Sequence, residues 1–209
     1  QQAISSLSVG GRNLLLKSDW NSLDGWVGDS STIEMDGGYI KNTMIGVGST
    51  PGIEYIPIIS LTKGEYTLSV RMDTDNMTAG KVLRMYLLGG TSADINALIP
   101  RKTGMNVSTV TCTVNDDIIN KKFYILTGSQ VVGDYILYDW IKLEKGNKAT
   151  DWTPAPEDLQ QMVIDTDNAR KSYIDAQDAL KETQTKAYAD GIVSAEEARA
   201  IADATAKAN

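Results

Sequence analysis

The grammar of this chain changes at residue 156, and the change leaves room for only a two-part architecture. All five prolines and all but one of the eighteen glycines lie at or before Pro156. Upstream, short alternating apolar/polar runs are separated by turn residues, the pattern of antiparallel strands. Downstream, 34 residues pass without a proline or glycine up to Asp190, as a long helix requires. With 209 residues, the chain holds one sizeable β domain and an appendage.

In the β part the clearest strand is Glu65–Met72, where Tyr66, Leu68, Val70 and Met72 share one face and Glu65, Thr67, Ser69 and Arg71 the other. Thr62-Lys63-Gly64 precedes it as a turn, and Asp73-Thr74-Asp75-Asn76 closes it. Strands are also predicted at Asn13–Lys17, Thr32–Met35, Ile53–Ile59, Val82–Leu88, Thr109–Val114, Lys122–Leu126 and Tyr135–Leu143. Pro57 marks the third of these as an edge strand or a bulge. Many short strands with turns between them favour a sandwich, but pattern alone does not separate a jelly roll from an immunoglobulin-like topology.

The helical part carries a heptad frame: Leu159, Met162, Thr166, Ala169, Tyr173, Ala176, Leu180, Thr183 and Ala187. At the usual rise its 34 residues reach about 51 Å. Threonine and alanine at most of the seam positions make it too weak to stand alone, so partner helices are expected. Asp190-Gly191 reads as a helix end, with glycine in the left-handed position. Ser194-Ala195-Glu196-Glu197 then reads as a capping box opening a second helix. The expected domains are a linker over 1–9, the sandwich over 10–156, a stalk helix over 157–190 and a short helix over 191–209. A chain that begins Gln1-Gln2 and stops in alanine-rich sequence at Asn209 reads as a segment of a longer protein.

Composition excludes several chemistries. The chain has no histidine and one cysteine, which removes Ser–His and Cys–His nucleophiles, histidine-ligated zinc and an internal disulfide. Cys112 alternates with Val110 and Val114 on an apolar face and is expected to be a buried thiol. The formal charge of −7 lies mostly in the helical part, where residues 157–209 carry 11 acids against 6 bases. An acidic chain without a run of Lys and Arg is a poor nucleic-acid partner. No apolar stretch is long enough for a membrane span, and no signal-peptide pattern opens the sequence. Asp73/Asp75 and Asp116/Asp117 are carboxylate pairs of the kind glycoside hydrolysis uses. Both sit in turn sequences, where aspartate serves the backbone. The glycine loop at 46–50 lacks the lysine and helix of a phosphate loop.

Two motifs carry a resemblance. Gly11-Arg12-Asn13-Leu14-Leu15-Leu16-Lys17-Ser18-Asp19-Trp20 and the run from Leu143 to Asp158, LEKGNKATDWTPAPED, resemble the carbohydrate-binding-module-like jelly rolls of bacteriophage tail-tip and host-adhesion proteins. The resemblance implies an antiparallel jelly-roll β-sandwich followed by a coiled-coil-like stalk. It also implies a non-catalytic virion module that binds host cell-surface polysaccharide, contacts other tail proteins and assembles as a homotrimer, with no nucleic acid and no membrane insertion. Sugar rings stack on aromatic faces, so Trp26, Tyr39, Tyr55, Tyr86, Tyr138 and Trp140 are candidate platforms. Trp26 leads because Asp24-Gly25-Trp26-Val27-Gly28-Asp29 reads as an exposed turn. Trp152 is expected to pack the junction against the sandwich.

Alternation places Asp139 with Leu137, Ile141 and Leu143 on an apolar face, where a carboxylate needs a partner. In similar modules an aspartate at this place helps hold structural calcium, which implies Asp139, Asn13, Glu34 and Asp36 as oxygen donors, with Asp19 nearby. The alternative is an aspartate paired with Arg12, Lys17 or a backbone amide. Two further functions stay open: a structural spacer within a virion tail, and a binding module of a secreted glycoside hydrolase.

Overall fold

The computed structural model describes residues 10–19, 22–46, 51–89, 92–128 and 131–208. The expected linker over 1–9 and most of the glycine loop at 46–50 lie outside the described residues. Ten strands and one helix are present among those described. Sheet 1 has the order β1(Trp26–Asp29), β4(Gly52–Leu61), β9(Ile118–Thr127), β6(Leu83–Gly89), β7(Ser92–Ile99). Sheet 2 has the order β2(Ser31–Asp36), β3(Tyr39–Met44), β10(Tyr135–Lys145), β5(Gly64–Asp73), β8(Asn106–Val114). All pairings are antiparallel. Only β2–β3 and β6–β7 are hairpins; every other connection passes from one sheet to the other.

Period-2 alternation builds the core. Leu68 and Val70 of β5, Met85 and Leu87 of β6, Phe123 and Ile125 of β9, and Ile141 and Leu143 of β10 are buried between the sheets. Close strand approach fixes Gly52, where a Cβ would run into the Ile125 carbonyl on β9. Burial pushes the Cys112 thiol up to about 11, so it stays protonated at neutral pH.

Asn13–Lys17 is not a ladder strand, yet it completes sheet 2. The β3 strand pairs only with Tyr135–Tyr138 at the start of β10. Beyond that point Leu14 N donates to Leu143 O (2.8 Å), and Ile141 N donates to Ser18 O (3.0 Å). The Asn13 side chain supplies the rest: its Oδ1 accepts from Leu143 N and Leu15 N, and its Nδ2 donates to Ile141 O and Ser18 Oγ. A side-chain amide thus replaces one rung of backbone pairing.

The run from Gly146 to Ala155 folds back over the outer face of sheet 2. Lys142 and Glu144 point away from the core, yet both are 0 % exposed. Lys142 Nζ donates to Thr150 Oγ1 (2.6 Å) and Asp151 O (2.7 Å), while Glu144 accepts from Thr150 N (2.9 Å) and Thr150 Oγ1 (2.8 Å). Trp152 packs near Trp140, ring centroids 6.3 Å apart, and donates to Ile141 O. These contacts satisfy a buried ion pair that would otherwise be costly.

The chain divides into two compact units, one ending at Leu159 and one from Gln160 onward. The helix α1(Pro156–Ala208) spans 53 residues without interruption, about 80 Å at the usual rise. Proline at its first position and two acids in its first turn suit a helix start. Glu157 pairs with Arg12, and Asp158 accepts from Lys17 N, so the first turn is tied to the segment that completes sheet 2.

The expected break at Gly191 and the second helix are corrected. Gly191 is not among the positive-φ glycines, and Ser194 Oγ donates back to Asp190 O instead of capping a new helix. One glycine costs about 1 kcal/mol against alanine, and the surrounding Ala, Glu and Lys residues absorb it. No helix among the described residues is long and apolar enough to cross a membrane. A Cβ on Gly191 meets open space, so Gly191→Ala is expected to raise the melting midpoint of the helical signal in far-UV circular dichroism. A glycine held left-handed at a break would make the same substitution destabilising.

Candidate functional site

The junction covers part of the outer face of sheet 2, and the outer face of sheet 1 presents residues from all five of its strands. Registers across four strand pairs bring Val27, Glu54, Tyr124, Tyr86 and Asn96 into one row crossing all five strands. At the usual strand spacing this row is roughly 19 Å long. A second row runs Asp29, Gly52, Leu126, Arg84 and Leu98. The outward direction follows from alternation, because Ile53 and Tyr55, Phe123 and Ile125, and Met85 and Leu87 are all buried in the core.

The chemistry of this face is mixed. Tyr86, half-buried, and Tyr124, only 8 % exposed, stand side by side on β6 and β9, and polar groups flank them. Lys122 Nζ donates to Glu54 Oε1 (2.6 Å) at one end, and Arg84 donates to Asn96 Oδ1 (2.7 Å) at the other. Burial and then the Glu54 carboxylate push the Tyr124 hydroxyl above its ordinary value. It is therefore a neutral group able to donate and accept. The hydrogen bond to Glu54 raises the Lys122 ammonium and keeps it charged. The Tyr86 ring, beside charged and amide hydrogen-bonding groups, is what a polyhydroxylated ring can use, and the buried Tyr124 ring backs it.

Of the sequence candidates, only Tyr86 lies in this row. Trp26 is 2 % exposed, which corrects its expected exposure at a turn tip. It starts β1, packs tilted against Tyr55 (4.9 Å) and edge-on to Phe123 (6.3 Å), and donates from Nε1 to Lys17 O. Tyr55 is buried beside it, with its hydroxyl accepting from Leu16 N (2.9 Å). Tyr138 is buried in the core, Tyr39 sits half-buried at the start of β3, and Trp140 is under the junction with Trp152. Sequence reasoning passed over Tyr124, Glu54 and Asn96. Alternation beside Phe123, Ile53 and Ile95 puts each of them on an outer face, and only strand order puts them in one row.

The donors named for calcium have protein partners of their own. A register shift between Tyr138 and Trp140 inserts Asp139 as an extra residue, so β10 presents Ile136, Tyr138, Ile141 and Leu143 to the core and Asp139 leaves that face. Its carboxylate pairs with Arg71 of β5, which was not among the expected partners. Glu34 and Asp36 both approach Lys41, at 3.5 and 4.0 Å. The Asn13 amide is committed on every side to neighbouring chain. Among the described residues no cluster of three or more acidic or thiol side chains could hold a metal ion. The paired carboxylates serve turns: Asp73 accepts from Asp75 N, and Asp117 accepts from Lys63 N.

No family model and no curated protein matches the chain. Solved structures do resemble it. The second N-terminal cellulose-binding domain of Cellulomonas fimi β-1,4-glucanase C superposes with a TM-score of 0.51 at 15 % identity, covering 68 % of this chain and 99 % of that one. The CBM22-1–GH10 modules of Clostridium thermocellum xylanase 10B follow with a TM-score of 0.45 at 14 % identity, covering 68 % and 30 %. The enzymatically active domain of bacteriophage CBA120 tailspike protein 4 gives 0.44 at 12 % identity, covering 63 % and 21 %. At these identities the first of the three speaks for fold alone: the head is a β-sandwich with the fold of that cellulose-binding domain.

Proposed function

We propose that this chain is a non-catalytic adhesion module of a phage tail, whose sandwich binds host cell-surface polysaccharide across the outer face of sheet 1. The observation that carries the reading is the row Glu54–Tyr124–Tyr86–Asn96, with Lys122 and Arg84 at its flanks. The likeness to a cellulose-binding domain supports a glycan ligand. The phage assignment rests on the two motifs, at 11–20 and 143–158. The helix joins copies of the chain, as a homotrimer, through the Leu159-to-Ala187 frame. No residue of α1 is buried, and Leu159, Met162, Tyr173 and Leu180 stand exposed along that frame. Linking several weak sugar sites multiplies avidity without new contacts.

A spacer role within the tail is favoured by a different observation: Ile56, Ile58 and Ile119 are exposed on the sandwich, which suits contact with another tail protein. Tyr86→Ala separates the two readings. Tyr86 is only half-buried, so its loss is expected to weaken binding to soluble β-glucan, xylan or host-wall oligosaccharides about tenfold or more. The unfolding midpoint should hardly move. Undiminished binding in a Tyr86→Ala variant, or no polysaccharide binding by the wild-type chain, would return the lead to the spacer.

A further inference from the structure

A cleft of about 580 Å³ opens where β6 begins and β7 ends. The segment after β5 and the connection from β7 to β8 form its walls. Leu98, from the second row of the open face, lines it together with Val82. Its charged lining residues are Lys81, Arg101, Lys102 and Asp75.

The four charges are not equivalent. Arg101 has committed all five N–H groups: Nε to Thr74 Oγ1, one terminal nitrogen to Thr78 O and Lys81 O, the other to Thr74 O and Met77 O. It holds the wall together and leaves positive charge there with no donor to spare. Asp75 is also engaged, its Oδ2 accepting from Gly104 N (3.0 Å). Lys102 Nζ spends one of three N–H groups on Val107 O. The Lys81 side chain makes no ion pair or hydrogen bond among the described residues. Three cations against one occupied carboxylate thus face a cleft in a chain whose net charge is −7.

We propose that this cleft seats an anionic substituent, a carboxylate or phosphate, carried by the same polysaccharide that lies on the open face. The inference rests on the glycan reading above and adds the class of glycan. Lys81 and Lys102 supply the contacts, Arg101 supplies charge from the wall, and Val82 and Leu98 supply apolar surface for the sugar that carries the group. Continuity along one stretch of chain supports a single ligand: Tyr86 and Arg84 of β6 and Val82, just before its first residue, follow one another at two-residue steps, roughly 13 Å from platform to cleft. Arg84 lies on the path between them. Lys81 is half-exposed and Lys102 exposed; such lysines attract anions over about 8 Å at physiological salt, so the preference is salt-sensitive.

The test measures affinity of the full chain for three polymers: neutral xylan, polygalacturonate and a poly(glycerol phosphate). Wild type is expected to bind at least one anionic polymer tenfold or more tighter than xylan at low salt, and this advantage shrinks as salt rises. Whether polygalacturonate or poly(glycerol phosphate) gains tells carboxylate from phosphate. Lys81→Gln with Lys102→Gln should remove the advantage and leave xylan binding intact, whereas Tyr86→Ala should weaken all three. Lys81→Gln alone, at a side chain that no described residue bonds, should remove part of the advantage, whatever Lys102 does for the fold. Equal affinity for neutral and anionic polymers, or an advantage that survives both lysine substitutions, overturns the cleft. Xylan binding abolished by Tyr86→Ala with no anionic preference would leave the glycan reading standing without it. Wild type that binds none of the three overturns both.

Discussion

Trp26→Ala is expected to destabilise the sandwich by about 3–5 kcal/mol, the usual cost of emptying a large aromatic site in a core. Trp26 fills the space between β1, Tyr55 and Phe123, and its indole N–H reaches Lys17 O at 3.1 Å. The loss therefore combines a cavity with a missing hydrogen bond to the segment that completes sheet 2. For a domain of this size the midpoint of thermal unfolding should drop on the order of 10 °C. Trp26→Phe, which keeps most of the volume and loses the N–H with part of the ring, should cost less. Binding per folded molecule should not change. A Trp26→Ala variant that unfolds like wild type but no longer adheres would mean that the indole is a ligand platform after all.

Removing the helix after Leu159 is expected to turn an oligomer into a monomer and to lower retention on a polysaccharide-coated surface by about 10²–10⁴, the usual scale of lost avidity. The cut follows Leu159 because the contacts of Glu157 with Arg12 and of Asp158 with Lys17 N belong to the head. Cutting earlier would mix loss of assembly with loss of those ties. Sedimentation of the two chains at micromolar concentration reads the first effect. The second is read by comparing surface retention with affinity for a soluble oligosaccharide, which the truncation should leave unchanged. A full chain that sediments as a monomer would overturn the stalk.

The two architectures and their border at Pro156 were legible in the residues, because glycine and proline placement and side-chain periodicity are local properties. Glu65–Met72 lies within β5 with the expected face inward, since Tyr66, Leu68, Val70 and Met72 are all buried. The same reasoning failed at Asp139, because one inserted residue reverses every later position and a bulge leaves no mark on the alternation itself. At β1 it failed differently. Glycine and aspartate around Trp26 have the look of a turn, and it is pairing with β4 that extends the backbone and seals the indole inside. At Gly191 the propensity signal was real but small, and among the described residues nothing lies close enough to a Cβ there to turn it into a break.

By itself the sequence determined that a β-sandwich precedes a long helix, that histidine chemistry is excluded, and that Tyr86 could face outward. Only the tertiary structure decided that Tyr86 has Tyr124, Glu54 and Asn96 as neighbours, because strand order sets that row and strand order depends on pairing between distant segments. Burial of the Lys142–Glu144 pair was decided the same way, since two charges on an outward face become interior only when residues 146–155 fold over them. So was the meeting of Lys81 with Lys102, twenty-one positions apart in an acidic chain. Alternation tells a residue which side of its own strand it occupies; the company it keeps there is a long-range property, settled by the fold.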